Sequence, residues 1–228
     1  KINKFLTPIQ DFKMDLDLEN FEAKLSGNKI SIHKIDFNDK SFFSDISNLS
    51  FHADIEKIIL GNNKFLRPTI SFQKENYEFS DLNLELNGEK DYHKIQIFND
   101  NQKKKFFLES NYAPRLFNIL DIDLDLNKGS LKIEGEKSSD SGNYIGNIAG
   151  KDFVFLDTPL FADFITLFSL KGLAQKLKDG GIIFEDFTSK YEFSKNKLRL
   201  IDSLIKGSEL GLSFDTVVGF DDDYFLTT

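Results

Sequence analysis

Short runs in which apolar and polar residues strictly alternate recur along this chain, and they constrain its fold more than any other feature. In residues 12–18 (Phe-Lys-Met-Asp-Leu-Asp-Leu) every second residue is apolar and those between are charged. Successive side chains of a β-strand point to opposite faces of the sheet, so this period predicts strands with one buried face and one face in water. The same period recurs at 49–55, 82–86, 122–126, 131–133 and 210–214.

Residues that favour turns lie between or beside these runs. They are Gly27-Asn28, Asn38-Asp39, Gly61-Asn62, Asn87-Gly88, Asn99-Asp100, Lys128-Gly129, Lys195-Asn196 and Gly207. Short strands separated by turns predict an antiparallel meander, because parallel neighbours need long crossover connections. A long sheet with one apolar face must be covered or must curl over itself. We therefore expect a mainly β fold, a long antiparallel meander curled into a groove.

Two segments depart from the strand pattern. A short helix is expected near 113–120, with Pro114 in its first turn. A longer helical insert is expected near 158–178, where Thr158 suits the N-cap and Pro159 the first helical position. Its apolar residues at helical spacing include Phe161, Phe164, Ile165 and Phe168. The insert is too short and too interrupted to span a bilayer, and an amphipathic helix is predicted.

Charge and cysteine content exclude several classes of function. The formal net charge is -8 and the chain has no cysteine. A nucleic-acid partner is not expected, because no basic stripe could neutralise phosphates. Disulfides, zinc–thiolate sites and thiol catalysis are excluded by the absence of cysteine.

The sequence predicts no enzyme, no metal site and no cofactor. His33, His52 and His93 show neither metal-ligand spacing nor a nucleophile partner, and we expect them on strand surfaces. The run from Asp121 to Asn127 has the spacing of a calcium loop. However, the position of the required glycine holds leucine and that of the closing acid holds lysine.

The inward-facing apolar residues of the predicted strands are the candidate binding surface. They are Phe12, Met14, Leu16, Leu18, Phe51, Ile55, Leu82, Leu84, Leu86, Leu124, Leu131 and Ile133. Taken alone, such residues most often form an ordinary packed β core. A closed barrel that holds one apolar ligand is a further alternative.

Several segments resemble the C-terminal region of the AsmA-like family, to which the YhdP- and TamB-type lipid-transfer proteins of Gram-negative bacteria belong. These segments are 112–120, 128–135, 150–173, 181–187, a hairpin around Asn196, and 207–213. The family typically shows a strand, a D-x-P-x-L entry into a helix, a G-I-x-F strand and a meander that ends in G-x-x-x-G-L. The strand-like run 122–126 departs from the family pattern, in which the chain turns quickly at this point.

The resemblance implies a lipid-transfer function. Family members form curled sheets, called β-tacos, whose apolar grooves are thought to carry phospholipid across the periplasm. It implies that this chain is a fragment tethered to the inner membrane by a segment outside it, with phospholipid acyl chains as its partner. We expect repeated strands over 1–111 and a C-terminal module over 112–228, whose helical residues Phe161, Phe164, Ile165 and Phe168 cap one end. The alternative is a module that scaffolds outer-membrane assembly and carries no lipid.

Overall fold

The protein is mainly β, as the alternation predicts. The structure, a computed structural model, describes residues 5–6, 11–17, 20–32, 47–120, 126–156, 181–194, 197–208, 211–219 and 225–227. Within these ranges the chain forms sixteen strands and one helix and divides into two compact units. Unit 1 comprises residues 1–110 and 118–122, and unit 2 comprises residues 111–117 and 123–228. The predicted fold class, mainly β with a long antiparallel meander, is confirmed.

Unit 1 contains ten strands. They are β1 (Phe5–Leu6), β2 (Asp11–Asp17), β3 (Glu22–Ile32), β4 (Leu49–Ile55), β5 (Lys57–Leu60), β6 (Asn63–Leu66), β7 (Thr69–Glu75), β8 (Glu78–Asn87), β9 (Tyr92–Asp100) and β10 (Lys103–Ser110). The main path runs β1-β2-β3-β4-β7-β8-β9-β10, while β5 pairs with β3 and β6. The predicted strand at 49–55 coincides with β4.

One part of unit 1 is parallel, which departs from the predicted meander. Residues 22–27 of β3 pair in parallel with residues 50–55 of β4, and the end of β3 pairs in parallel with β5. Between these two pairings the Glu56 amide donates to the Gly27 carbonyl at 3.1 Å. Strands β5 and β6 form a hairpin, residues 57–66, which turns at Gly61 with φ of 57° and Asn62.

Unit 2 is a simple meander of six strands. They are β11 (Leu126–Lys137), β12 (Tyr144–Phe155), β13 (Ile182–Ser194), β14 (Lys197–Lys206), β15 (Gly211–Gly219) and β16 (Phe225–Thr227). Each pairs antiparallel with the next along the chain. The register of these pairs places alternate residues of β11 to β15 on one face.

The short predicted helix is present as α1 (Ala113–Ile119). Its buried residues Ala113, Leu116 and Ile119 recur every three positions and form one apolar stripe. The longer helical insert predicted near 158–178 lies outside the described residues, as does most of the strand-like run 122–126.

The predicted turn Asn99-Asp100 forms the end of β9, directly before the turn at Asn101-Gln102. Two further predicted turns are wrong. Gly27-Asn28 lies inside β3 and Lys128-Gly129 lies inside β11. In each case the register of the strand shifts nearby, so the glycine accompanies a bulge and not a change of direction. At Gly129, φ is +127° and the ring of Phe153 occupies the space that a Cβ would need. Glycine within a strand pattern indicates either a turn or a bulge, and spacing alone does not distinguish them.

Candidate functional site

The apolar residues of unit 1 form continuous rows across its sheet. In one row Phe51, Phe72, Leu82, Ile97 and Phe106 face one another across β4, β7, β8, β9 and β10. The adjacent row comprises Met14, Leu25, Ala53, Ile70, Leu84, Ile95 and Leu108. Because residues i and i+2 of a strand share a face, both rows lie on the same side of the sheet.

The rows are buried at the β3–β4 end and at Leu108 of β10, and they are partly open elsewhere on β7–β10. Ala23, Leu25, Phe51 and Ala53 are buried. The half-buried residues of β7–β10 are Ile70, Phe72, Leu82, Leu84, Ile95, Ile97 and Phe106, which together are called the apolar strip below. The aromatic rings of Phe51 and Phe72 stack at 4.9 Å and join the buried part to the strip. A face that is apolar but only half covered can accept further hydrocarbon.

The β5–β6 hairpin covers a third row beside the strip. This row contains Ile55, Leu86, His93 and Ser110. The hairpin contributes Ile58, Leu60 and Phe65 to the same buried cluster, to which Ile119 also belongs. Phe65 is 0% exposed, and its ring meets the His93 ring edge-on at 5.7 Å. The third row is therefore a closed, packed core.

A polar network lies within this covered row. His93 Nδ1 is 2.8 Å from Ser110 Oγ, and His93 Nε2 is 2.9 Å from Asp91 Oδ2. The three residues are 2%, 1% and 8% exposed. The carboxylate of Asp91 accepts a hydrogen bond from Nε2 of the ring, and Nδ1 shares a hydrogen bond with the Ser110 hydroxyl. The predicted surface position of His93 is therefore wrong.

The three residue types of this network are those of a hydrolase triad, but the geometry is closed. A serine nucleophile must reach substrate, and the Ser110 side chain lies beneath packed neighbours. The network instead satisfies polar groups that would otherwise be buried without hydrogen bonds. His52, in contrast, is exposed on β4, as expected.

On the side away from the β5–β6 hairpin, the apolar strip is bordered by a polar rim. The residues one row beyond Phe72, Ile97 and Phe106 are Lys74, Asn99 and Lys104. Lys104 Nζ lies 2.8 Å from Glu78 Oε2, and Lys74 Nζ lies 5.9 Å from the centre of the Phe79 ring. The strip is thus bordered by a closed hairpin on one side and by charged and amide groups on the other.

The opposite face of the same strands is mainly polar, although Phe98 and Phe107 also lie on it. Glu85 Oε1 and Lys94 Nζ form an ion pair at 3.0 Å across β8 and β9. Asn83 and Gln96 side chains are hydrogen-bonded at 3.0 Å one step along the same pair of strands. Unit 1 therefore has the one-sided sheet that its alternating sequence predicts.

Unit 2 also has a one-sided apolar face. Leu131, Gly150, Phe187, Ile205 and Leu212 form one row across its first five strands. The neighbouring rows include half-buried Ile133, Ile148, Leu198, Leu200, Phe214 and Val218. Most of this face is half-buried like the strip of unit 1.

Polar groups interrupt the apolar face of unit 2 at its centre. Ser189 and Ser203 face each other on β13 and β14 with their hydroxyl oxygens 2.9 Å apart, and both are buried. Next to them, the Tyr191 hydroxyl lies against Gly135, where a Cβ would collide with it. Burial, the larger cause, and the charge interaction with nearby Tyr144 together raise the pKa of Tyr191 to about 12. The hydroxyl is therefore held in its neutral form.

The candidate lining residues fall into three groups. Met14, Phe51, Leu82 and Leu84 lie in the two rows of unit 1, and Leu131 and Ile133 lie on the apolar face of unit 2. Ile55 and Leu86 lie beneath the hairpin. The side chains of Phe12, Leu16, Leu18 and Leu124, and the helical residues Phe161, Phe164, Ile165 and Phe168, are outside the described part of the chain.

Sequence reasoning missed three features of the site. They are the covering of the third row by Phe65, the buried hydrogen-bond network around His93, and the hydrogen-bonded pair of Ser189 and Ser203 in unit 2. A signal for His93 was present, because it alternates with Ile95 and Ile97 and so shares their face.

Among the described residues, no cluster of three or more His, Asp or Glu side chains is arranged to bind a metal ion. No helix within the described ranges has the length and apolar character needed to cross a bilayer.

Comparison with known proteins identifies no relative. No family model, no curated protein and no solved structure matches this chain.

Proposed function

We propose that this chain is a segment of a periplasmic lipid-transfer conduit that carries phospholipid between the inner and outer membranes. The observation that supports this best is the apolar strip of unit 1, half-buried between a closed hairpin and a polar rim. Acyl chains would lie on the strip, and head groups would stay near Asn99 and Lys104, since Lys74 is buried. The compartment and the two membranes in this proposal come from the resemblance of segments such as 150–173 to the AsmA-like family.

The energetics of such a site need no specific head-group contact. Removing a methylene from water is worth about 0.8 kcal/mol, so an acyl chain gains affinity from burial alone. The apolar face of unit 2 offers a second surface of the same kind, which includes Ile133, Ile148 and Phe214. Transport along each surface would be passive sliding between neighbouring apolar sites of similar affinity for hydrocarbon.

The test is photocrosslinking in bacteria, with a photoreactive amino acid at one position at a time. Leu84 and Glu85 are a matched pair, because they are adjacent on β8 and point to opposite faces. Ile133 and Lys132 are the corresponding pair in unit 2. We expect phospholipid adducts at Leu84 and Ile133 and none at Glu85 and Lys132. Equal labelling of both faces, or no lipid on any of them, would overturn the proposal.

A second candidate is a structural module that binds a protein partner during outer-membrane assembly. Three large aliphatic side chains on the mainly polar face of unit 2 support it, namely Ile145, Ile183 and Leu204, which are exposed. Exposed apolar groups on a polar face are common at partner interfaces, although single ones also occur on ordinary surfaces. Protein adducts at Ile183 and Leu204, together with no lipid at Leu84, would favour this candidate.

A further inference from the structure

The apolar strip has a fixed wall on its hairpin side. Strand β5 is paired in parallel with β3 through Ile58 opposite Ile30, so the hairpin is part of the hydrogen-bonded structure. Its turn is also tied by Asn63 Nδ2, which donates to Asn118 Oδ1 at 3.3 Å. Phe65, at the centre of β6, is fully buried against the third row. The hairpin is therefore a static boundary of the strip.

The distance from the polar rim to this wall is set by strand geometry. Along β9, Asn99 lies at the rim, Ile97 and Ile95 lie in the strip, and His93 lies beneath Phe65. Six residues of extended strand span roughly 20 Å. An acyl chain that lies along β9 with its head group at the rim therefore meets Phe65 before it has passed His93.

The third row is also a poor surface for hydrocarbon. It contains His93 and Ser110, whose polar atoms are already hydrogen-bonded under the hairpin. A methylene that entered this row would have to displace the Phe65 ring and would then lie against polar groups. Both effects stop a chain at the same place.

From this geometry we infer that Phe65 sets the length of acyl chain that unit 1 accepts. The inference rests on the proposed function, since it takes the apolar strip as the binding surface. Phe65 is then the residue that determines which acyl-chain lengths unit 1 binds, whether the amphiphile has one chain or two.

The experiment measures affinity against chain length in the full chain. A dansylated fatty acid is bound first, and saturated fatty acids of increasing length displace it. We expect each added methylene to strengthen binding about fourfold, which corresponds to the transfer free energy of one methylene, until a limiting length is reached. In Phe65→Ala the limiting length should shift to longer chains.

The controls use the same hairpin. Leu66→Ala changes the next residue on β6, which is 50% exposed and points away from the buried row, and its limiting length should equal that of the unsubstituted chain. Phe65→Leu retains much of the buried volume and should give a smaller shift. Circular dichroism establishes that each variant is folded.

A measurement on the unsubstituted chain provides an independent test. A fatty acid that carries a diazirine at its terminal carbon should label β6 and the part of β9 near His93. The limiting length could be the same in Phe65→Leu, Phe65→Ala and the unsubstituted chain, or the terminal diazirine could label the rim. Either result would overturn the inference about Phe65 and leave the proposed function standing. If neither the dansylated probe nor any fatty acid binds the chain, the proposed function is overturned instead.

Discussion

His93 on β9 and Ser110 on β10 face each other in a row that is otherwise apolar, with Nδ1 and Oγ 2.8 Å apart. Asp91, two residues before His93, completes the hydrogen bonds of the ring from its other side. A buried polar network of this kind is stable only while every member keeps its partner. It therefore gives a direct test of how the covered end of unit 1 is held together.

Ser110→Ala should destabilise the protein by about 1–3 kcal/mol, because it removes the Ser110 partner of His93 Nδ1 within a buried site. Urea unfolding followed by circular dichroism measures the change. Ser50→Ala is the matched control, since Ser50 is exposed on β4, and it should change stability by less than about 0.5 kcal/mol. Equal stability of the two variants would show that the network contributes nothing.

Phe51→Ala should cost about 3–5 kcal/mol, because the ring is buried and stacks on Phe72 at the junction of the core with the strip. The same denaturation experiment measures it. Phe21→Ala removes an equally large side chain that is 53% exposed, and a much smaller loss is expected. Similar losses for the two variants would contradict the assignment of Phe51 to the core.

Gly150→Ala should destabilise the protein by about 1–3 kcal/mol, because its Cβ would enter the space occupied by the Phe153 ring. Gly211→Ala is the control in the same sheet. There the nearest atom to a new Cβ is the Ile205 carbonyl oxygen at 3.9 Å, so the substitution should be tolerated. Thermal unfolding compares them, and an unchanged melting temperature for Gly150→Ala would refute the close packing.

The free energy of unfolding should fall between pH 10 and 12 because the Tyr191 hydroxyl loses its proton more readily in the unfolded state. A tyrosine in water has an ordinary pKa of 10.0, and burial raises the pKa of Tyr191 in the folded state to about 12. In this range the unfolded state has lost the proton and the folded state retains it, so stability decreases as pH rises. Tyr191→Phe should reduce this part of the alkaline loss, as measured by urea unfolding at a series of pH values. An identical alkaline slope in both proteins would contradict the prediction.

The sequence predicts the fold class well because its alternation is a direct record of which face each residue occupies. Strand β4 coincides with the predicted run 49–55, and α1 follows the proline and apolar spacing near 113–120. The direction of a neighbouring strand is not recorded in this way. A period of two is the same for parallel and antiparallel pairs, so the parallel pairing of β3 with β4 was not predicted.

The candidate site was predicted only as a set of inward-facing residues. Alternation assigns Leu84 and Leu86 to the same face, yet the first is half-buried on the strip and the second is 1% exposed beneath the hairpin. The difference arises from Phe65, which lies about twenty residues earlier and reaches the sheet only through the fold. Local patterns therefore give the face of a residue but not what covers it.

The parallel pairing of β3 with β4 also has a consequence for how unit 1 assembles. Opposed residues such as Glu22 and Ser50 lie far apart along the chain, whereas β7 to β10 are joined by short turns. Closing a long loop costs more chain entropy than closing a hairpin. We expect β7–β10 to acquire protected amides first and β2–β3 to dock onto β4 later. Pulsed hydrogen exchange during refolding would reveal this order as delayed protection at Ala23 and Leu25.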